Sequence, residues 1–140
     1  MTKNEDFGKY LHETYPTIFS KELWIECNEG WYTIIDDLSK QIAAAATRYG
    51  VQSDGELRIS VAQIKEKYGG LRYYLHYYDM NDEDIQAIEQ LVRNAEMKSY
   101  ETCEDCSAPA KLCSPKRYWM KTICEKCQER YEMGDTPNGI

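Results

Sequence analysis

Two periodicities alternate along this chain, and their order lays out its elements. Phe7, Tyr10, Leu11 and Thr14 recur at helical spacing, and Tyr15-Pro16 should end that helix, because a residue before proline is pushed out of the helical region. Residues 16–29 keep neither period and read as irregular, with an apolar patch at Leu23-Trp24-Ile25. From Trp31 through Ile34, Ile35, Leu38, Ile42 and Ala45 to Tyr49 the helical beat is clear, with Asp36, Asp37 and Lys40 off the apolar face. Asn28 is the candidate N-cap of this helix and Gly50 its stop.

The period then drops to two. Leu57, Ile59 and Val61 alternate with polar neighbours. Leu71, Tyr73, Leu75 and Tyr77 do the same beyond Gly69-Gly70, a pair expected to supply the positive φ of a tight hairpin. Ile64 is out of phase with Val61, which predicts a bulge or break near Ala62-Gln63. Another long helix follows. Asn81 or Asp82 caps it, three acids suit the positive end of its dipole, and Ile85, Ile88, Leu91, Val92 and Ala95 form its buried stripe.

The layout is α+β: helices packed on a small antiparallel hairpin or sheet, with a C-terminal zinc ribbon. It divides into a core over 1–102, the ribbon over 103–130 and a loose tail over 131–140. Two strands alone are marginal in water, so helices must cover one face of the hairpin or a further strand must pair with it.

The ribbon rests on four cysteines. Cys103-Glu104-Asp105-Cys106 and Cys124-Glu125-Lys126-Cys127 are two CxxC pairs, each able to fold into a knuckle that aims both sulfurs at one point. The competing readings are a pair of disulfides or a redox CxxC; the matched pairs favour zinc. Cys113 can substitute as a ligand, but it and Cys27 stand apart and read as spare thiols.

Length and charge narrow the picture. A chain of 140 residues buries roughly two-thirds of its unfolded surface, enough for a core without staples. No run approaches the roughly 18 apolar residues of a membrane span, and Met1–Asp6 has no apolar signal core. Together with reduced, metal-ready thiols this leads one to expect a cytoplasmic protein. The net charge of −7 argues against non-specific nucleic-acid binding. It is unevenly spread. Residues 57–78 carry Arg58, Lys65, Lys67 and Arg72 against Glu66, a net +3, and residues 111–130 carry a net +4, so the rest sums to −14.

The hairpin is the second candidate site. Period two puts Lys65 and Lys67 on one face of its first strand and Arg72, Tyr74, His76 and Tyr78 on one face of its second. A guanidinium or ammonium can hold a phosphate while a ring stacks on a base. The plainer alternative is a half-exposed strand, where tyrosine is favoured anyway and lysine protects an edge. Trp31 fits the core stripe, Asp36-Asp37 read as a solvated face, and His76 as a hydrogen-bonded group rather than a catalyst; His12 falls in the first helix. No Ser/His/Asp order, P-loop or GxGxxG is present, which points away from an enzyme and names no catalytic residue.

Tyr15-Pro16-Thr17-Ile18-Phe19, Ile25-Glu26-Cys27-Asn28-Glu29-Gly30-Trp31-Tyr32, the segment Gln63–Tyr74, Cys103-x-x-Cys106 and Trp119 through Cys124 stand in that order. The chain resembles small phage and prophage proteins with "CGDGW", "KEKFGGLRFY" and paired-cysteine motifs, across most of residues 15–127. It departs at Asn28-Glu29, where the group has Gly-Asp, and at Ser107, where a glycine often follows the first knuckle. The resemblance implies a phage origin and an accessory role by binding. The expectation is a non-enzymatic protein taking an anionic, nucleotide-derived ligand through Lys65, Lys67, Arg72, Tyr74 and His76, as in sequestration of an immune signal. The alternative is a module that inhibits or adapts a host protein. An enzyme acting on nucleotides, with His76 or a carboxylate as acid/base, is a third class.

Overall fold

The computed structural model describes residues 2–49, 57–116 and 119–132. Helix α1 spans Lys3–Thr14 and opens on Thr2, whose hydroxyl accepts the Glu5 N–H. It stops at Tyr15, as the following proline requires. The segment read as irregular contains a short strand, β1 (Ile25–Glu26), and a 3-10 turn over Glu29–Trp31. Helix α2 follows at Tyr32–Ala46. The expected stop at Gly50 lies outside the described residues. Strands β2 (Ile59–Lys67) and β3 (Gly70–Tyr77) form the hairpin, and α3 runs over Asp82–Ser99. Its cap is Asn81, whose side-chain oxygen accepts the Asp84 N–H at 2.8 Å. A second hairpin, β4 (Lys111–Lys116) and β5 (Trp119–Ile123), and helix α4 (Glu125–Glu132) complete the order.

The fold is α+β, and both ways of stabilising a lone hairpin are used. β1 adds to β2 in parallel, Ile25 beside Ile64, making a three-stranded sheet of order β1-β2-β3. Helices cover one face. The register slips between Val61 and Gln63, where the phase change demanded a bulge. That slip lets Ile59, Val61 and Ile64 all point inward, opposite Tyr77, Leu75 and Tyr73. Against them pack Ile35, Leu38 and Ile42 of α2 and Leu11 of α1, all essentially inaccessible. Buried side chains of this size contribute about 1.5–3 kcal/mol each. Tyr73 sits among them with its hydroxyl 2.8 Å from the equally buried Ser39. Trp31 is fully buried and donates its indole N–H to Thr102 O. Helix α3 packs on α2 and along the β3 edge, closing a side that would otherwise offer unpaired backbone groups.

Three local expectations are corrected. The two residues of the hairpin turn are Tyr68 and Gly69, with φ of 53° and 83°, since Lys67 pairs with Gly70. Gly70 is required for another reason: a Cβ there would come within 2.3–2.8 Å of the Tyr100 ring. Asn28 occupies the N-cap position of the 3-10 turn but makes no side-chain cap; its amide reaches the ribbon instead. Asp36 is not a solvated acid but accepts from the Tyr10 and Tyr15 hydroxyls at 2.9 and 2.7 Å, tying α1 to α2.

Candidate metal centre and outer sheet face

Cys103 and Cys106 lie on the turn after α3, and Cys124 and Cys127 on the turn that starts α4. Their four sulfurs lie within 4.8 Å of one another. Cys106 Sγ and Cys124 Sγ are 3.6 Å apart. A tetrahedron with metal–sulfur bonds near 2.3 Å has edges of about 3.8 Å, whereas a disulfide brings two sulfurs to about 2.05 Å. The group therefore fits one ion held by four thiolates. The knuckles carry supporting hydrogen bonds: Ser107 N–H donates to Cys103 O at 2.9 Å, and Cys127 N–H donates to Cys124 Sγ at 3.4 Å. Ser107 adopts φ 73°, the conformation for which a glycine is the easier choice. Its hydroxyl donates to Gly30 O at 2.7 Å, a bond glycine could not make. Burial raises both the Cys103 and the Cys127 thiols above their ordinary pKa. Cys113 stands outside the group and contacts Lys121 O and the Gln128 side chain.

A buried charge cluster that the cysteine motif did not announce joins this centre to the core. Lys121 Nζ lies 3.1 Å from Glu104 Oε1 and 3.2 Å from Asp105 Oδ1, and all three side chains are about 5% exposed. The remaining acceptors are filled from both sides of the junction. Asn28 N–H donates to Glu104 Oε2, Asn28 Nδ2 to Asp105 Oδ1, and the Tyr131 hydroxyl to Asp105 Oδ2. The Trp119 and Tyr131 rings lie 5.5 and 5.8 Å from the ammonium. Burial disfavours the charged lysine, but the two carboxylates more than restore it, so its pKa is raised. Burial also lifts Glu104 above its ordinary value, only partly countered by Lys121. Backbone contacts seal the junction: Gly30 N–H donates to Glu104 O at 2.7 Å, and a Cβ on Gly30 would sit 2.1–2.4 Å from the Cys103-Glu104 backbone. One signal was legible. Alternation places Lys121 between Trp119 and Ile123 on one strand face, a cation among apolar neighbours. Tyr131, assigned by its position to a loose tail, is 3% exposed and belongs to the ribbon core.

On the outer face of the sheet, the register sets Ser60 opposite His76, Gln63 opposite Tyr74 and Lys65 opposite Arg72. Lys65, Lys67, Arg72, Tyr74 and His76 thus share the face turned away from the helices. Tyr74 and His76 are exposed, and Lys65 Nζ lies 6.0 Å from the Tyr74 ring centre. Arg72 is already engaged, 2.7 Å from Glu96 Oε2 on α3. Partial burial opposes its charge, but Glu96 and Tyr100 raise its pKa overall. His12 bonds Phe19 O at 2.8 Å through Nδ1 and serves the fold. Lys121 is likewise withdrawn from the surface, while Lys111, Lys126 and Arg130 of the basic C-terminal segment stay exposed.

A groove of about 520 Å³ lies between the α1 start and the ribbon, lined among others by Lys3, Trp24, Tyr32 and Arg130. Trp24 is 74% exposed at its edge. Among the described residues, no helix is long and apolar enough to cross a membrane. Comparison with protein-family models, curated proteins and solved structures finds no match.

Proposed function

We propose that this chain is a non-enzymatic binding protein, stapled by one zinc ion, whose outer sheet face takes an anionic, nucleotide-type ligand. Zinc is the ion that four thiolates at this spacing suit best, closed to solvent chemistry and structural in role. The observation that carries the ligand reading is the shared face: Lys65 stands beside the exposed Tyr74, with Lys67 toward the turn and the exposed His76 toward the other end of the same face, cations and stacking surfaces together on a protein that is otherwise acidic. Arg72 would join only by exchanging Glu96 for a phosphate, which makes the lysines the first contacts. The phage-type resemblance makes an immune signal of the host the natural ligand class, and removal of that signal the role.

A second reading is a protein-interaction module that inhibits or adapts a host protein. It is favoured by Trp24, 74% exposed beside the groove that Arg130 also lines, because exposed tryptophan and arginine are frequent anchors of protein interfaces.

Two measurements separate the readings. The purified protein is heated, and the supernatant is analysed by mass spectrometry for a released nucleotide. Linear and cyclic nucleotides are then titrated calorimetrically into wild type and a Lys65→Ala/Lys67→Ala double variant. The nucleotide reading expects binding tighter than about millimolar, or about 4 kcal/mol, and at least about tenfold weaker in the variant. No binding in either refutes it and leaves the protein-partner reading; turnover of an added nucleotide would make the chain an enzyme.

A further inference from the structure

We propose that the ribbon holds the β2–β3 turn in shape, so that metal occupancy governs how Lys67 and Tyr68 are presented on the outer face. The functional meaning of this device rests on the binding reading above; the coupling itself does not. Tyr68 has φ 53°, a region that bulky L side chains avoid, yet its ring is 71% exposed and gains little from burial. Lys67 Nζ lies 5.7 Å from the centre of that ring, so the turn displays a cation and an aromatic together. Such a conformation persists only where its surroundings over-determine it.

The surroundings are in place, and much of them is ribbon. Glu66 Oε2 accepts the Gly69 N–H at 2.7 Å from within the hairpin. From the other side, Thr122 of β5 donates its hydroxyl to Gly69 O, also at 2.7 Å, through a fully buried side chain. Leu112 of β4 and the Lys121 backbone press on Gly69 so closely that a Cβ there would meet them at 2.3 and 3.4 Å. Thr122 is two residues before Cys124, and Leu112 is held opposite it in the β4–β5 ladder. A continuous line of contacts therefore runs from the thiol group through Thr122 to Gly69 and Tyr68. Where metal binding and folding are coupled, losing the ion frees the β4–β5 hairpin and withdraws the support beneath the turn. Thr122 is a positioning residue in this scheme: it touches no ligand and acts through Gly69.

Hydrogen–deuterium exchange on the full chain reads this without any ligand. The metal-loaded protein is compared with the same protein after chelation under reducing conditions. Peptides over residues 66–72 should exchange at least about tenfold faster after chelation, while α1 and the Ile59–Val61 end of β2 keep their protection. Thr122→Val with its full metal content should accelerate the same peptides several-fold. Turn exchange untouched by chelation overturns the proposal. So does an acceleration spread evenly over α1 and β2, or a metal-loaded Thr122→Val that matches wild type. A nucleotide titration that fails while this exchange pattern holds would remove the ligand, not the coupling.

Discussion

Replacing Lys121 by methionine should be among the most damaging single changes in the ribbon. The side chain is about 5% exposed and its ammonium stands 3.1 and 3.2 Å from two carboxylates that are equally buried. Methionine keeps much of the apolar stem, so packing against Trp119 and Tyr131 changes little. What is lost is the only lysine or arginine within salt-bridge reach of Glu104 and Asp105 among the described residues. Removing one partner of a buried ion pair costs about 3–5 kcal/mol, because the other charge stays buried without compensation. That is a large share of the roughly 5–15 kcal/mol by which a domain of this kind is stable. Urea unfolding of metal-loaded protein, followed by circular dichroism and tryptophan fluorescence, measures it. A Lys121→Met/Glu104→Gln/Asp105→Asn variant should regain most of the loss, since each introduced amide keeps one oxygen to accept from Asn28 and the amide NH2 at position 105 can donate to the Tyr131 hydroxyl oxygen. A loss below about 1 kcal/mol for Lys121→Met, the scale of an exposed pair, would refute the reasoning.

Tyr73→Ala should cost about 3–5 kcal/mol, as an aromatic core truncation that also orphans Ser39, whereas Tyr74→Ala should cost under about 1 kcal/mol; similar shifts in denaturation midpoint would contradict the assignment of faces. Tyr68→Gly should stabilise the protein by about 1 kcal/mol by relieving its positive φ, and Gly70→Ala should destabilise it by about 1–3 kcal/mol through the clash with Tyr100. Thermal melts that rank these two the other way would show that the turn is not the one described. Arg72→Ala should lower stability by no more than about 1 kcal/mol, because its pair with Glu96 is partly exposed; a larger loss would make Arg72 a pillar of the fold.

The elements that pack by local periodicity were legible in the chain. The α2 stripe, the inward set of β3 and the bulge after Val61 follow from spacing alone, and so does part of the α3 stripe: Ile88 and Ala95 are buried, Leu91 and Val92 half-buried against the core, and Ile85 only half-buried. Strand β1 was not, because two residues hold no period; Ile25 is a strand residue only because Ile64 lies beside it. The turn was misplaced by one residue. Gly69-Gly70 looks like a self-sufficient glycine turn, but the ladder ends at Lys67 and Gly70, and the ribbon and Tyr100 each claim one glycine for close packing. The cysteine group was readable because knuckle geometry is written in neighbouring residues. The Glu104–Lys121–Asp105 cluster was not, since its partners Asn28 and Tyr131 come from opposite ends of the chain. Arg72 was placed on the correct face, but sequence could not foresee that α3 would bring Glu96 to it.

Metal content bears most directly on the whole account, because the ribbon, its docking on the core and the support of the hairpin turn all depend on the four thiols. Native mass spectrometry of the full chain, purified under reducing conditions and then alkylated with and without chelator, reads it in one experiment. One zinc ion per chain is expected, with Cys103, Cys106, Cys124 and Cys127 protected from alkylation until the chelator is added. A metal-free chain whose four thiols alkylate at once, or a chain lighter by the hydrogens of two disulfides, would contradict it.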